Sequence, residues 1–375
     1  MLIGVPKEIK NHEYRVSISP RGVRELNYHG HQVMVQKGAG EAIGFDDLYY
    51  QESGALVIEN VEEIFERSDM IVKVKEPQPE ECQMLREGQI LFAYLHLAAE
   101  PKMTDALINS GCIAIAYETV TDDAGNLPLL APMSEVAGRV SIQVGSYFLQ
   151  RGNGGRGVLL SGVPGVEAAE VVIIGGGVVG TNAAIIAGGM GANVTILERS
   201  LERIRQLEWR LPQNNIKSIY ATVEAVEDYV TKSDLVVGAV LVPGASAPKL
   251  VTNDLIEKMQ KGSVVVDVAI DQGGCIESSR ATTHDDPTFI VNDVVHYCVT
   301  NMPSAAARTA TKSLENATLP YIVDLANNGY RSALKDNTNF RKGLNLCRGR
   351  VTNEAVANDL NHAYVPPSTF LGGNS

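Results

Sequence analysis

Ten residues constrain this chain more than any others. Residues 171–180 read VVIIGGGVVG, a run of branched apolar side chains followed by Gly175, Gly177 and Gly180 in the order G-x-G-x-x-G. The run predicts a buried strand. The next segment, TNAAIIAGGMGA, has helical composition, and NVTILER reads as a second apolar strand ending in Glu198. Each glycine has a mechanical reason: the first permits a tight turn, the second lets the backbone approach a pyrophosphate, and the third lets helix pack closely on strand. A helix N-terminus then offers free N–H groups and a positive dipole end to phosphates. Strand, glycines, helix, strand and acid in this order predict a dinucleotide-binding unit.

Glu198 lies 23 positions after Gly175, where such units place the carboxylate that accepts hydrogen bonds from the adenosine ribose hydroxyls. An anion there repels an extra 2′-phosphate, so the expected cofactor is NAD rather than NADP. Arg199 and Arg203 work against this reading, because a nearby arginine can bind that phosphate instead.

The 375 residues suffice for two domains of ordinary size. With 45% hydrophobic and 20% charged residues the composition is globular, and no apolar run reaches the roughly 20 residues needed to span a bilayer. The opening MLIGVPKEIK lacks the layout of a secretory signal. Five scattered cysteines (Cys82, Cys112, Cys275, Cys298 and Cys347) show neither metal-ligand spacing nor a disulfide framework and read as reduced cytosolic thiols. A net charge of −12 disfavours nucleic acid and anionic membranes as partners. The expectation is a cytoplasmic protein acting on small molecules.

Strand-length apolar runs alternate with amphipathic stretches throughout, which predicts an α/β fold with parallel sheets. In the first third the expected strands are LIGVP, HQVMVQ, MIVKVK, ILFAYLH and CIAIAYE, with helices at SPRGVRELNYHG and EPKMTDALINSG. Residues 133–150 form a proline-free helical pattern that should link two domains. RGNGGRGVLLSGVPGV then reads as a glycine-rich loop. The second unit carries VVIIG, NVTILE, SIYA, LVVGAV, SVVVDVA and FIVND. After Met302-Pro303 the chain turns helical, and a short helical tail cannot build its own core, so it should return to the first domain. The predicted architecture is two Rossmann-like lobes with a cleft between them, the first lobe discontinuous: residues 1–130 plus 306–375 for substrate and catalysis, residues 131–305 for NAD. Substrate sites favour such interfaces.

Chemistry on an anionic substrate needs a cation, a proton carrier and a dry site. Arg15 lies in a polar loop after the first strand, Lys75 ends MIVKVK, and His96 ends ILFAYLH. Three such groups at the ends of three strands match the way open α/β sheets build sites. Each taken singly reads equally as a solvated or hydrogen-bonded strand-end residue. Asp267 lies inside an apolar strand and Asp271 at its exit, where Asp271 could also form a turn. Asn301-Met302-Pro303 offers an amide or an ordinary interdomain turn. Glu118, in AYETV, is a candidate partner for a lysine or arginine, or a solvated acid.

The segments GVPKEIKNHEYRVSISP, VKVKEP, AYLHLA, YETV, APMSEVAGR, VVIIGGGVVG, GAVLVPGASAPKLV, VVDVAIDQGG and NMPSA resemble the L-alanine dehydrogenases, in register over nearly the whole chain. The soluble NAD-binding components of transhydrogenases share part of this pattern, and the lack of membrane-spanning runs favours the dehydrogenase. The resemblance implies reversible oxidative deamination of L-alanine by NAD and water to pyruvate, ammonium and NADH. It implies that Arg15 and Lys75 hold the substrate, that His96 is the acid–base residue and that Asp271 is the second catalytic group. Implied cofactor contacts are Ser134, Gly175, Gly177, Val178, Val179, Gly180, Glu198, Arg203, Val240, Leu241, Val268, Ala269, Ile270, Asp271, Arg280, Val299, Thr300, Asn301 and Met302.

The family implies a hexamer built from dimers. Two departures stand out: the adenosine-side acid is often Asp in the family, and Glu198 is one methylene longer. Some members carry Glu and His four apart in the late helix as a metal site. Here those positions are Asp324 and Asn328, so no metal is expected. Alternatives to a dehydrogenase are a transhydrogenase component, a non-catalytic NAD-binding regulatory protein, or an enzyme of this scaffold acting on another amino acid.

Overall fold

A computed structural model describes residues 1–211, 214–240 and 247–372. The chain divides into two compact units, Met1–Pro132 with Ala307–Ser375, and Met133–Ala306. Each is built on its own predominantly parallel sheet.

In the first unit the strands are β1 (Leu2–Val5), β2 (Gln32–Gln36), β3 (Leu56–Ile58), β4 (Met70–Val72), β5 (Ile90–Ala93) and β6 (Ile113–Ala116). They pair in parallel in the order β3-β2-β1-β4-β5-β6. The chain builds outward from β1 to β3, then crosses back to begin again at β4 on the other side of β1. That reversal leaves a crevice beyond the carboxyl ends of β1 and β4, the position where open α/β sheets bind ligands. Strand burial follows the pattern of a sheet covered on both faces, with β4, β5 and β6 buried at every residue. Helix Pro20–Tyr28 begins with Ser19 as its cap and Pro20 in its first turn, and helix Pro101–Ser110 ends at Gly111 in the left-handed conformation.

The second unit holds β7 (Glu170–Ile174), β8 (Asn193–Glu198), β9 (Ile216–Tyr220), β10 (Leu235–Gly238), β11 (Val264–Asp267), β12 (Thr288–Val291) and β13 (Val294–Tyr297). Their order is β12-β13-β11-β10-β7-β8-β9, parallel except for the β12–β13 hairpin. Reversal again falls beside the first strand of the unit, between β7 and β10. Helix Ala131–Phe148 runs into this unit, and a Cβ on its Gly138 would lie 2.2 Å from the Val179 carbonyl oxygen. Only glycine permits that approach.

Two sequence expectations need correction. FIVND ends as a strand at Val291: Asn292 and Asp293 both have positive φ (49° and 62°) and turn the chain into β13. Two adjacent residues with positive φ suit a two-residue hairpin, a role that Asn and Asp tolerate. The tail is also not purely helical. After the long helix Ala307–Asp336, which is non-helical at Gly329, it contributes β14 (Leu344–Cys347) and β15 (Arg350–Val351). β14 pairs antiparallel with β6. It satisfies backbone groups that the buried β6 would otherwise leave open.

Candidate functional site

In the first unit the sequence-predicted groups follow the carboxyl ends of neighbouring strands. Arg15 follows β1, Lys75 follows β4, His96 follows β5 and Glu118 follows β6. Because these strands are parallel, all four residues leave the same sheet edge.

Arg15 is 2% exposed. Its Nε donates to Glu13 Oε1 at 2.7 Å and its Nη2 to Glu13 Oε2 at 2.5 Å, a two-toothed fork that fixes the guanidinium plane. Burial disfavours the charged guanidinium, but the Glu13 carboxylate outweighs it and raises the Arg15 pKa further. The loop carrying Arg15 is pinned to the late helix. Val16 N–H donates to Thr311 Oγ1, and Ser19 donates from both N–H and O–H to Glu315 at 2.6 Å.

Tyr94 is buried just past the end of β5. Its N–H pairs with the Val74 carbonyl, next to Lys75. Its ring stacks on His96 at 6.0 Å between centroids and 8° between planes, and its hydroxyl donates to the Leu129 carbonyl at 2.5 Å. Burial pushes that hydroxyl's pKa up, partly offset by the charge on Arg15. Tyr94 thus links the Val74 backbone, the Leu129 carbonyl and the His96 ring, and the sequence reading had passed over it.

His96 occupies the left-handed region, with φ 48° and ψ 40°, a conformation that costs a non-glycine residue of the order of 1–2 kcal/mol. Glu118 holds it there. The carboxylate accepts from His96 N–H at 2.7 Å and Leu95 N–H at 3.1 Å, and its Oε1 lies 4.0 Å from His96 Nδ1. The partner of Glu118 is therefore this backbone turn and the imidazole, where the sequence had suggested a lysine or arginine. The His96 side chain remains 43% exposed.

Sequence reasoning also passed over Glu8, Glu13 and Lys73. A signal was present for Lys73, since a lysine inside the apolar run MIVKVK has to be buried with a partner. Half-buried Lys75 stands two residues further on. Buried Glu76, beside it, is pushed up by burial, but Lys75 and Lys10 more than reverse this and leave its pKa lowered.

In the second unit the residues at the β7 turn have the properties a phosphate cradle requires. Gly175 has φ 100°, which L side chains rarely adopt. A Cβ on Gly180 would lie 1.9 Å from the Gly175 oxygen, whereas a Cβ on Gly177 would meet nothing within 4 Å. The open space is at the middle glycine. Gly177 precedes helix Val178–Gly189 with no side-chain cap. Val178 is exposed and Val179 half-buried.

Gly176 N–H donates to Glu198 Oε2 at 2.8 Å, and Ser200 N–H donates to Glu198 Oε1 at 2.9 Å. Arg203 Nε donates to the Gly176 oxygen at 2.6 Å and its Nη2 to Thr181 Oγ1 at 2.9 Å. Acid and arginine therefore brace the turn from the end of β8.

The remaining dinucleotide candidates mostly leave the same sheet edge. Val240 follows β10, its side chain 3.3 Å from a Cβ built on Gly175; Leu241 lies outside the described residues. Val268, Ala269, Ile270 and Asp271 form a 3-10 turn after β11, with Asp271 exposed. Asp267 caps this turn from a buried position, accepting from the N–H groups of Ala269, Cys275 and Ile276. Val299, Thr300, Asn301 and Met302 follow β13, and Asn301 has φ 64°. The Arg280 guanidinium stacks 4.4 Å from the Phe289 ring centroid. Ser134 is half-buried near the start of its helix. In the late helix Asn328 Nδ2 donates to Asp324 Oδ1 at 2.7 Å. Among the described residues no cluster of three or more His, Cys, Asp or Glu could hold a metal, and no helix is long and apolar enough to cross a membrane.

Comparison with known proteins matches both units. Residues 4–137 fit the alanine dehydrogenase/PNT N-terminal domain, and residues 141–354 fit the alanine dehydrogenase/PNT C-terminal domain. The chain is 53% identical to an alanine dehydrogenase of Halomonas elongata over 372 residues, covering 99% of this chain and 100% of the relative. It is 51% identical to that of Bacillus subtilis over 376 residues, covering 100% and 99%. A solved L-alanine dehydrogenase superposes with a TM-score of 0.93 at 49% identity, over 96% of this chain and 99% of the other. A transhydrogenase from Sinorhizobium meliloti, at 24% identity and a TM-score of 0.81 over 95% and 100%, shares the fold. Two domain matches in tandem and half-identical relatives along the full length leave one conclusion: the chain belongs to the alanine dehydrogenase/PNT family.

Proposed function

We propose that this chain is an NAD-dependent L-alanine dehydrogenase, converting L-alanine, NAD and water reversibly to pyruvate, ammonium, NADH and a proton. What carries the reading is the full-length similarity to alanine dehydrogenases, supported by two cations and an imidazole that follow the carboxyl ends of strands of one sheet. When bound, NAD supplies the carbon that accepts hydride from the substrate Cα.

The first unit serves as substrate and catalytic domain, the second as NAD domain. Arg15, its plane fixed by Glu13, and Lys75, a point charge, hold the substrate carboxylate. Holding the carboxylate at two places orients the Cα–H and turns an encounter into a positioned reaction. His96 carries the proton as water adds to the substrate imine and as ammonia leaves. A histidine suits both directions because its reference pKa is near neutrality. Asp271 is the second catalytic group. Gly175, Gly177 and Gly180 hold the pyrophosphate, and Glu198 receives the ribose. The protein works in the cytoplasm as a homohexamer on this reading, which rests on the family resemblance; light scattering of the purified protein tests the assembly.

NADH absorbance on mixing the protein with NAD and each of several L-amino acids, repeated with NADP, tests the activity. Strong reduction with L-alanine and NAD is expected. Hydride exchange between nucleotides without alanine dependence would instead identify a transhydrogenase component.

Two substitutions probe the dinucleotide turn. Gly177→Ala should leave thermal stability almost unchanged, since its Cβ meets open space, yet weaken NADH binding. Gly180→Ala should lower the melting temperature as well, because its Cβ meets the Gly175 oxygen. Calorimetry with and without NADH distinguishes the two, and equal effects on both measurements would refute the assignment of Gly177. Glu198→Gln removes the charge that excludes a 2′-phosphate and should narrow the preference for NAD over NADP by about tenfold. Steady-state kinetics with both nucleotides reads this ratio, and an unchanged one would assign selectivity to other residues.

A further inference from the structure

Past the end of β1 the pairing of β1 with β4 stops, and the backbone running on from β4 towards Lys75 takes an acceptor from outside the strand ladder. Glu8 supplies one from a side chain. Its Oε1 accepts from Val74 N–H at 2.7 Å and from Lys75 N–H at 3.4 Å, so a carboxylate continues the ladder that the strand abandons. On the opposite side the ladder to β5 persists, with Lys73 N–H donating to the Phe92 oxygen and Tyr94 N–H to the Val74 oxygen.

Glu8 is itself held. Its Oε2 accepts from Lys73 Nζ at 3.0 Å, and the same ammonium donates to Glu81 Oε1 at 2.8 Å. The three side chains are 0–3% exposed. Glu81 closes the bracket by accepting from Gln78 N–H at 2.8 Å, at the start of helix Pro79–Met84.

Such a bracket is a poor device for stability. Withdrawing three charges from water costs several kcal/mol for each ion, and apolar side chains of similar volume often serve as well or better. What the charges provide is direction: the carboxylates and the ammonium bind particular N–H groups and oxygens, where methyl groups would allow sliding. The residue held in place by this arrangement is Lys75.

We propose that Glu8, supported by Lys73 and Glu81, is a positioning residue for the substrate-binding ammonium of Lys75. The inference rests on the assignment of Lys75 as a carboxylate ligand. Glu8 fixes the backbone from which that side chain departs, and it does so from within the sheet, without touching substrate.

The test uses Glu8→Gln, Lys75→Met and the double variant in the full-length protein. In Glu8→Gln one amide group must replace two charged acceptors. Its pyruvate KM should rise about tenfold, while kcat changes less, NADH affinity stays close to the parent and the melting temperature falls, since a partner of the buried cluster is lost. In the Lys75→Met background the same change should add little, because the group being positioned is gone. A pyruvate KM unmoved by Glu8→Gln, or an effect that multiplies undiminished with Lys75→Met, would overturn the proposal while leaving the Lys75 assignment intact. If Lys75→Met itself leaves the pyruvate KM unchanged, the assignment fails and the proposal with it. Should Glu8→Gln not fold, Glu81→Gln reads the same bracket from its far end, with a smaller rise in KM expected and no rise as the refuting result.

Discussion

Replacing His96 by alanine is expected to lower kcat by about 10²–10⁴-fold, the usual contribution of a positioned proton carrier, with NADH affinity unchanged. The argument has two parts. The imidazole stands at the end of β5, stacked on Tyr94 and exposed enough to meet a substrate, and its neighbours Arg15 and Lys75 suit a carboxylate. The backbone beneath it is left-handed and held by Glu118 through two N–H groups. Alanine tolerates that conformation poorly, so a loss of activity alone would confuse chemistry with local distortion. Asparagine tolerates it better, which makes His96→Asn the cleaner variant. Both should lose turnover alike, and stopped-flow NADH binding should match the parent. An asparagine variant that turns over at near-parental rate would remove His96 from the proton-transfer step.

The largest effect on stability is expected at a residue that touches no substrate. Lys73→Met should cost about 3–5 kcal/mol, the price of removing one partner from a buried ion cluster. Methionine fills a similar volume, so the loss comes mainly from Glu8 and Glu81 being left facing one another out of water. The penalty should depend on pH in a definite sense. Burial raises the Glu8 pKa, and the charge on Lys73 opposes that rise. Without Lys73 the folded-state value moves further above the ordinary carboxylate value of about 4.3. A raised folded-state pKa contributes stability that is present below the unfolded value and is lost as pH rises through the folded one. The variant should therefore melt closer to the parent at about pH 5 than at about pH 8. Scanning calorimetry at both pH values decides it; a pH-independent difference would mean that packing, and not charge, accounts for the loss.

Much of the architecture is legible in local pattern. The run VVIIGGGVVG needs little tertiary information to be recognised, because the close contacts of Gly175 and Gly180 are short-range consequences of a strand turning into a helix. The strands near the sheet centres declare themselves as apolar runs, since burial on both faces leaves no room for polar alternation. Elements at the margins are less visible. β3 is a short, partly exposed strand at a sheet edge, β13 was hidden behind the Asn292-Asp293 turn, and β14 exists as a strand because β6, more than two hundred residues earlier, offers it an edge.

The site divides in the same way. Lys75 and His96 could be named from the sequence because each ends an apolar run with a group of distinctive chemistry, and Arg15 because it stands in a polar loop just after one. Tyr94, Glu8, Glu13 and the backbone-holding role of Glu118 could not, because what they do is set by partners that only the folded sheet brings near. By itself the sequence determined which side chains can carry charge and which central segments become strands. The tertiary structure alone decided how those side chains are aimed, because orientation depends on hydrogen bonds between strands distant in the chain, and linear spacing does not encode their geometry.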